Sequence, residues 1–111
     1  MQRESYEKSK KEYEQRFVAK TPVEFLKYNG HIVTETDLKM IMELQELGLS
    51  NGVINVLLEY ALLVSRSRIL HPLVVELGEN WLRQDISSVE QATEYLKEEM
   101  KKYIHWLDKN R

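Results

Sequence analysis

The chain has no cysteine, two prolines and four glycines among its 111 residues, and each shortage closes off a class of protein. Without cysteine there is neither a disulfide framework nor a zinc–cysteine site, which fits a reducing cytosol; a cytoplasmic location is expected. No apolar run approaches the roughly 20 residues that span a bilayer. The N-terminal stretch MQRESYEKSKKEYEQRF is charged where a secretion signal needs apolar residues. An excess of one charge is also missing: 16 Lys and Arg face 18 Asp and Glu, which argues against strong, indiscriminate nucleic-acid binding. Alternation of strand type is confined to the short stretch His31–Val33.

Catalytic constellations are missing too. The three histidines, His31, His71 and His105, lie far apart in the sequence, and none has an acidic or histidine partner at metal-ligand spacing. His71 before Pro72 reads as a helix-entry residue. There is no glycine-rich phosphate loop and no G-x-S-x-G. Glu98-Glu99 reads as a solvated face on a lysine-rich helix rather than an acid/base pair. With no nucleophile, base or metal cluster to nominate, a non-enzymatic protein without cofactors is expected.

What is present is helix. The Leu, Glu, Lys and Met content favours helix, and the pattern predicts an all-α fold, a bundle of five to six helices around one central buried helix. Residues 1–20 form a charged helical leader or linker, with Glu4/Lys8 and Glu7/Lys11 at i,i+4 spacing and docking confined to Tyr13, Phe17 and Val18. Residues 21–111 form the helical domain. Thr21-Pro22-Val23-Glu24 is a start signal, a capping threonine with proline at the first helical position and a glutamate that reaches back. Asn29-Gly30 ends that short helix. Thr34 or Thr36 opens the next, with Asp37 in its first turn, an apolar face of Leu38, Ile41, Met42 and Leu44, and Gly48 at its close.

Ser50 or Asn51 caps VINVLLEYALLV, which is apolar nearly all round and therefore the central helix. His71-Pro72 starts a fifth helix with Leu73, Val74, Leu77 and Trp81 on its apolar face. Ser87-Ser88-Val89-Glu90 reads as a second capping box and opens the last helix, to about Asp108. On a wheel of about 100° per residue, Val89, Ala92, Leu96, Met100, Tyr103 and Leu107 form its core stripe.

The charge is unevenly spread. Residues 1–20 hold six basic and four acidic groups, residues 21–87 five and nine, and residues 88–111 five of each, so an anionic partner meets an end and not the middle. Beside the core stripe of the last helix lie Tyr95, Lys102 and Trp106, with Lys97 and Lys101 on the other flank. Aromatic rings next to lysines can stack bases and pair with phosphates; the plainer alternative is that they widen the buried face or pack on the leader. Trp81 has the same two readings, core or contact. Its neighbour Arg83, on a polar face, can reach a phosphate.

Residues from about Thr21 to Tyr103 resemble the DnaD-like domain shared by the DnaD and DnaB primosomal proteins of low-GC Gram-positive bacteria and by related phage replication proteins. The resemblance rests on order and spacing: Thr21-Pro22-Val23-Glu24-Phe25-Leu26, then Asp37-Leu38 opening a helix, Gly52-Val53-Ile54-Asn55-Val56-Leu57-Leu58-Glu59-Tyr60, the helix ending in Trp81, and Ile86-Ser87-Ser88-Val89-Glu90-Gln91-Ala92. It implies a helical domain of a helicase-loading protein that binds DNA, including single strands, and self-associates. Of the family's Tyr-x-x-x-Ile-x-x-x-Trp signature, associated with DNA binding, this chain keeps only Trp81, with Leu73 and Leu77 at the other positions. The resemblance places DNA contacts after that motif, here Lys97–Lys102.

The expected function is accordingly an accessory module of a primosomal helicase loader. It would bind single-stranded or forked DNA weakly through Trp81, Arg83, Tyr95, Lys97, Lys101, Lys102 and Trp106, and meet replication-initiation proteins, the replicative helicase or a second copy of itself. The alternatives are a pure protein-interaction module whose acidic middle faces a basic partner, and a helix-turn-helix regulator. The last is disfavoured because Val53–Val64 and Leu73–Trp81 are too apolar to read base edges.

Overall fold

The computed structural model describes the backbone of residues 2–64, 69 and 71–110, and the side chains of these residues apart from 2–7 and 103. Among the described residues there are six helices and no strand: α1 (Gln2–Val18), α2 (Pro22–Tyr28), α3 (Glu35–Glu46), α4 (Asn51–Val64), α5 (His71–Arg83) and α6 (Val89–Lys109). The Glu4/Lys8 and Glu7/Lys11 pairs and the core placement of Tyr103 rest on side chains outside the described residues.

Local chemistry sets the helix ends. At α2 the Thr21 hydroxyl accepts from the Glu24 N–H at 3.3 Å while the Glu24 carboxylate accepts from the Thr21 N–H at 2.9 Å, with Pro22 at the first helical position. Thr34, not Thr36, caps α3, in a second box with Asp37. The box at α6 sits one residue later than Ser87 and Glu90 suggested. Ser88 is the cap, and the Gln91 amide oxygen accepts from the N–H groups of both Ser87 and Ser88, at 3.0 and 3.2 Å. Glu90 instead turns outward to Lys10. At the C-termini of α2, α3 and α5 the chain turns through left-handed residues, Gly30 (φ 78°), Gly48 (φ 101°) and Asp85 (φ 58°). Each is followed by an N–H returning to the helix: His31 to Leu26 O, Leu49 to Leu44 O and Ile86 to Trp81 O.

Helix α4 is the centre, touching each of the other five helices. Val53, Ile54, Asn55, Val56, Leu57 and Leu58 have no exposed surface. Each fully buried aliphatic side chain contributes about 1.5–3 kcal/mol, so this one segment supplies a large share of the driving force. Its last turn emerges, with Leu63 and Val64 exposed. Helix α1 packs against α4 and α6, and its Phe17 lies wholly inside, edge-on to Tyr13 and tilted against Phe25. Val18 of the same helix is exposed.

Three apolar faces differ from the helical-wheel reading. On α3 the buried side is Asp37, Met40, Ile41 and Leu44, and Leu38 and Met42 point outward. On α5 it is Val74, Gly78 and Trp81, and Leu73 is exposed. On α6 Ala92 and Leu96 are buried and Met100 half-buried, but Leu107 is exposed along with Ile104 and Trp106. The apolar stripe of α6 outruns the body it packs on.

Gly78 explains why α5 can lie so close to its neighbours. A Cβ there would stand 2.6 Å from Leu44 Cδ2 and 3.2 Å from Leu49 Cδ1. Gly78→Ala gains about 1 kcal/mol of helix propensity, but overpacking costs about 1–3 kcal/mol. The expected outcome is a net loss of about 1 kcal/mol, read as a lower urea midpoint with an unchanged slope; a higher midpoint would show that Leu44 and Leu49 yield to a methyl group without strain.

Candidate nucleic-acid interface

Helix α6 runs past the body of the domain, and its second half carries most of the expected DNA-contacting groups. Lys97, Lys101 and Lys102 are exposed. The Lys97 ammonium lies 5.6 Å from the centre of the Tyr13 ring of α1. Lys101 and Lys102 pair with Glu98 and Glu99 one turn back, at 3.3 and 3.4 Å. Exposed pairs of this kind are worth little, so exchanging a glutamate for a phosphate costs these lysines almost nothing.

Trp106, one turn beyond Lys102, is 58% exposed. Its ring forms one side of a cleft of about 320 Å³ lined by Tyr60 and Val64 of α4 and by Glu99, Met100, Lys102 and Trp106 of α6. Tyr60 and Tyr95 are half-buried. The hydroxyl of each is raised above its ordinary value, first by burial and then by the negative charge of Glu99.

Not every expected residue joins this surface. Trp81 is completely buried, packed edge-on against Tyr95 with ring centres 5.4 Å apart; it supports Tyr95 from below and presents no ring face to a partner. Arg83 is exposed at the end of α5, but it stands about 200° around that helix from Trp81, away from the contact with α6. The structure therefore gathers Tyr95, Lys102 and Trp106 on one flank of α6, Lys97 and Lys101 on the other, and leaves Trp81 and Arg83 apart.

The leader's basic groups are largely spent inside the fold. Lys10 reaches Glu90 and Glu94 of α6 at 3.1 and 3.2 Å, and hydrogen bonding to these carboxylates, Glu90 foremost, holds its ammonium well above the ordinary lysine value. Arg16 pairs with Glu59 of α4 at 3.0 Å and lies over the Tyr13 and Phe17 rings.

The structure also contains a polar cluster that sequence spacing did not nominate. Asp37 is almost fully buried, and its two carboxylate oxygens each meet a histidine: Oδ2 lies 2.8 Å from His31 Nε2 and Oδ1 lies 2.6 Å from His71 Nε2. A carboxylate only accepts, so both imidazoles carry their proton on Nε2 and donate it. The Thr34 N–H adds a third bond to Oδ2 at 2.9 Å. Burial works against the charged form of Asp37, but the Thr34 N–H, His71, His31 and the Thr34 hydroxyl outweigh it and hold the carboxyl at about 2. The cluster ties the 30–34 loop and the first turns of α3 and α5 together. His71 is thus both a helix-entry residue and a clasp. Each ring spends its Nε2 on Asp37, and among the described residues no group of three or more His, Cys, Asp or Glu is placed to hold a metal ion. The available signal was Asp37 itself, in helical register with Ile41 and Leu44, a charged group at a core position.

No helix among the described residues is long and apolar enough to cross a membrane. No solved structure matches the chain. A family model described as "Replication initiation and membrane attachment" (DnaB_2) matches residues 23–96, from α2 to the middle of α6. The match takes in the clasp and the central helix and stops just before Lys97. Spanning well over half of the sequence, it shows that the chain belongs to this family of replication-initiation proteins, the one that carries the DnaD-like domain.

Proposed function

We propose that the chain is an accessory module of a primosomal helicase-loading protein, acting in the cytoplasm, which binds single-stranded or forked DNA weakly through the second half of α6. Its protein partners would be other replication-initiation proteins and the replicative helicase, and it acts by binding and not by catalysis. The observation that carries this reading is the set of three exposed lysines and an exposed tryptophan, Lys97, Lys101, Lys102 and Trp106, spread along α6 from its middle to its last turns. Lysines meet phosphates, and the indole offers a face on which bases stack whatever their sequence. The small net charge of −2 fits weak binding that releases few counterions.

The test is a fluorescence-anisotropy titration with a labelled single-stranded oligonucleotide across a range of salt. Changing Lys97, Lys101 and Lys102 together to alanine should weaken binding and flatten the log–log salt slope by roughly 2, at about 0.7 per lost phosphate contact. An unchanged affinity and slope would remove the lysines from the reading. A second reading, a protein-interaction module that does not touch DNA, is favoured by the acidic surplus of residues 21–87 and by exposed Leu38 and Met42 on α3. Absence of any oligonucleotide binding at low salt would select it.

A further inference from the structure

The cleft beside Trp106 has more chemistry than a sequence-tolerant stacking platform needs. Its walls are apolar, from Val64 and Met100, and Trp106 brings a largely exposed indole. The two charged groups differ in kind. Lys102 only donates, and the Glu99 carboxylate only accepts. The two side chains lie 3.4 Å apart, with Lys102 nearly open to solvent and Glu99 about three-quarters covered.

Resting on the single-strand reading above, we propose that this cleft seats one unstacked base of the bound strand and selects guanine. An apolar slot with an aromatic side takes the flat ring of any base. The edge of that base must then face a carboxylate inside the slot, which rewards donors and penalises lone pairs. Guanine alone among the DNA bases carries two adjacent N–H donors, N1–H and the N2 amine, matched to the two oxygens of one carboxylate. Cytosine and adenine set a ring lone pair beside their amine, and thymine sets two carbonyls around its single N–H. Lys102, at the mouth, meets either the O6 acceptor of guanine or the adjoining phosphate. Tyr60 lines the same cleft, and burial first, then the negative charge of Glu99, raises its hydroxyl and that of Tyr95.

The experiment uses the full chain and four labelled oligonucleotides, a thymidine 12-mer and the same strand with one central dG, dA or dC. The dG strand should bind about tenfold tighter than the all-thymidine strand, within the range a two-point base contact confers, and the dA and dC strands should stay close to it. Glu99→Gln, an exchange of nearly equal size that removes the charge and frees Lys102, should erase the dG preference while leaving thymidine-strand affinity equal or higher. Trp106→Ala should weaken all four strands about tenfold. Equal affinities for all four strands in the unaltered protein would overturn the guanine pocket while leaving DNA binding intact. A dG preference that survives Glu99→Gln would overturn the role of the carboxylate. No binding to any strand would defeat the single-strand reading itself, and the pocket with it.

Discussion

Asp37→Ala is expected to lower the stability of the domain by about 4 kcal/mol, a large fraction of the 5–15 kcal/mol that domains of this kind possess. The substitution strips three hydrogen bonds at once and leaves the Nε2–H groups of His31 and His71 and the N–H of Thr34 without their acceptor. It also ends the capping box of α3. Asp37→Asn separates shape from charge. Its amide oxygen can take the Oδ2 position and keep Thr34 and His31. Its amide nitrogen can donate to His71 once that ring moves its proton to the other nitrogen. All three bonds then survive without ionic strength behind them, so the cost should be about 2 kcal/mol. Urea denaturation of the three proteins at neutral pH gives the order directly; equal stability of wild type and alanine variant would mean that the clasp holds nothing.

The same cluster sets a pH dependence whose sign can be worked out. The carboxyl of Asp37 sits at about 2 in the folded protein against 3.8 without these partners. A depressed carboxyl contributes stability that is complete above its unfolded value and fades as pH falls through the folded one. The gap corresponds to roughly 2 kcal/mol. Wild type should therefore exceed Asp37→Asn by about that amount at pH 5, and the difference should close between about pH 4 and pH 2. The alanine variant should remain the weakest throughout, because its loss is mostly unfilled bonding and not charge. A wild-type advantage over the asparagine variant that stays constant across this window would refute the assignment.

How much of this was readable in the chain depends on the range of the physics involved. Thr21, Pro22 and Glu24 act on one another across three residues, and Asn29-Gly30 and Gly48 act on their own φ angles, so these boundaries were legible. Helix α4 was legible because residues 53–58 carry one polar group among six, and such a segment has only the centre to go to. Faces were less so. A wheel says which residues share a side, but the neighbour decides how far along that side burial extends. Leu107 is in line with Leu96 yet exposed, since α6 outlasts its partners; Leu73 gives way to Gly78, whose lack of a side chain is what admits Leu44 and Leu49. At the candidate interface, the exposure of Lys97, Lys101, Lys102 and Trp106 followed from their flanking positions on α6, whereas the buried state of Trp81 needed the packing of α5. The histidine clasp joins residues 6 and 34 positions apart, a distance at which spacing rules are silent.

Asn55 is the one polar residue of that central stretch, and Asn55→Leu is the substitution expected to separate α1 from the rest. Its side-chain nitrogen donates to the carbonyls of Phe17 and Lys20, both at 2.8 Å. These belong to the end of α1 and the link that follows it, where carbonyls have no partner within the helix. Leucine has nearly the same shape, removes both donors, and also removes an amide oxygen that is itself buried without a partner. Two orphaned carbonyls cost about 1–3 kcal/mol each; the apolar gain and the lost orphan oxygen offset part of this, for a net loss of about 3 kcal/mol. The carbonyls can recover water only if α1 lifts away and takes Phe17 out of the core. Hydrogen exchange should therefore quicken along residues 8–20 while α3 and α5 keep their protection, a pattern that general loosening of the core does not produce. Asn55→Asp should be worse than leucine, because it sets acceptors against two carbonyls at the same distance. A leucine variant with unchanged exchange in α1, or an aspartate variant more stable than the leucine one, would show that packing of Phe17 and Tyr13, and not this amide, anchors the first helix.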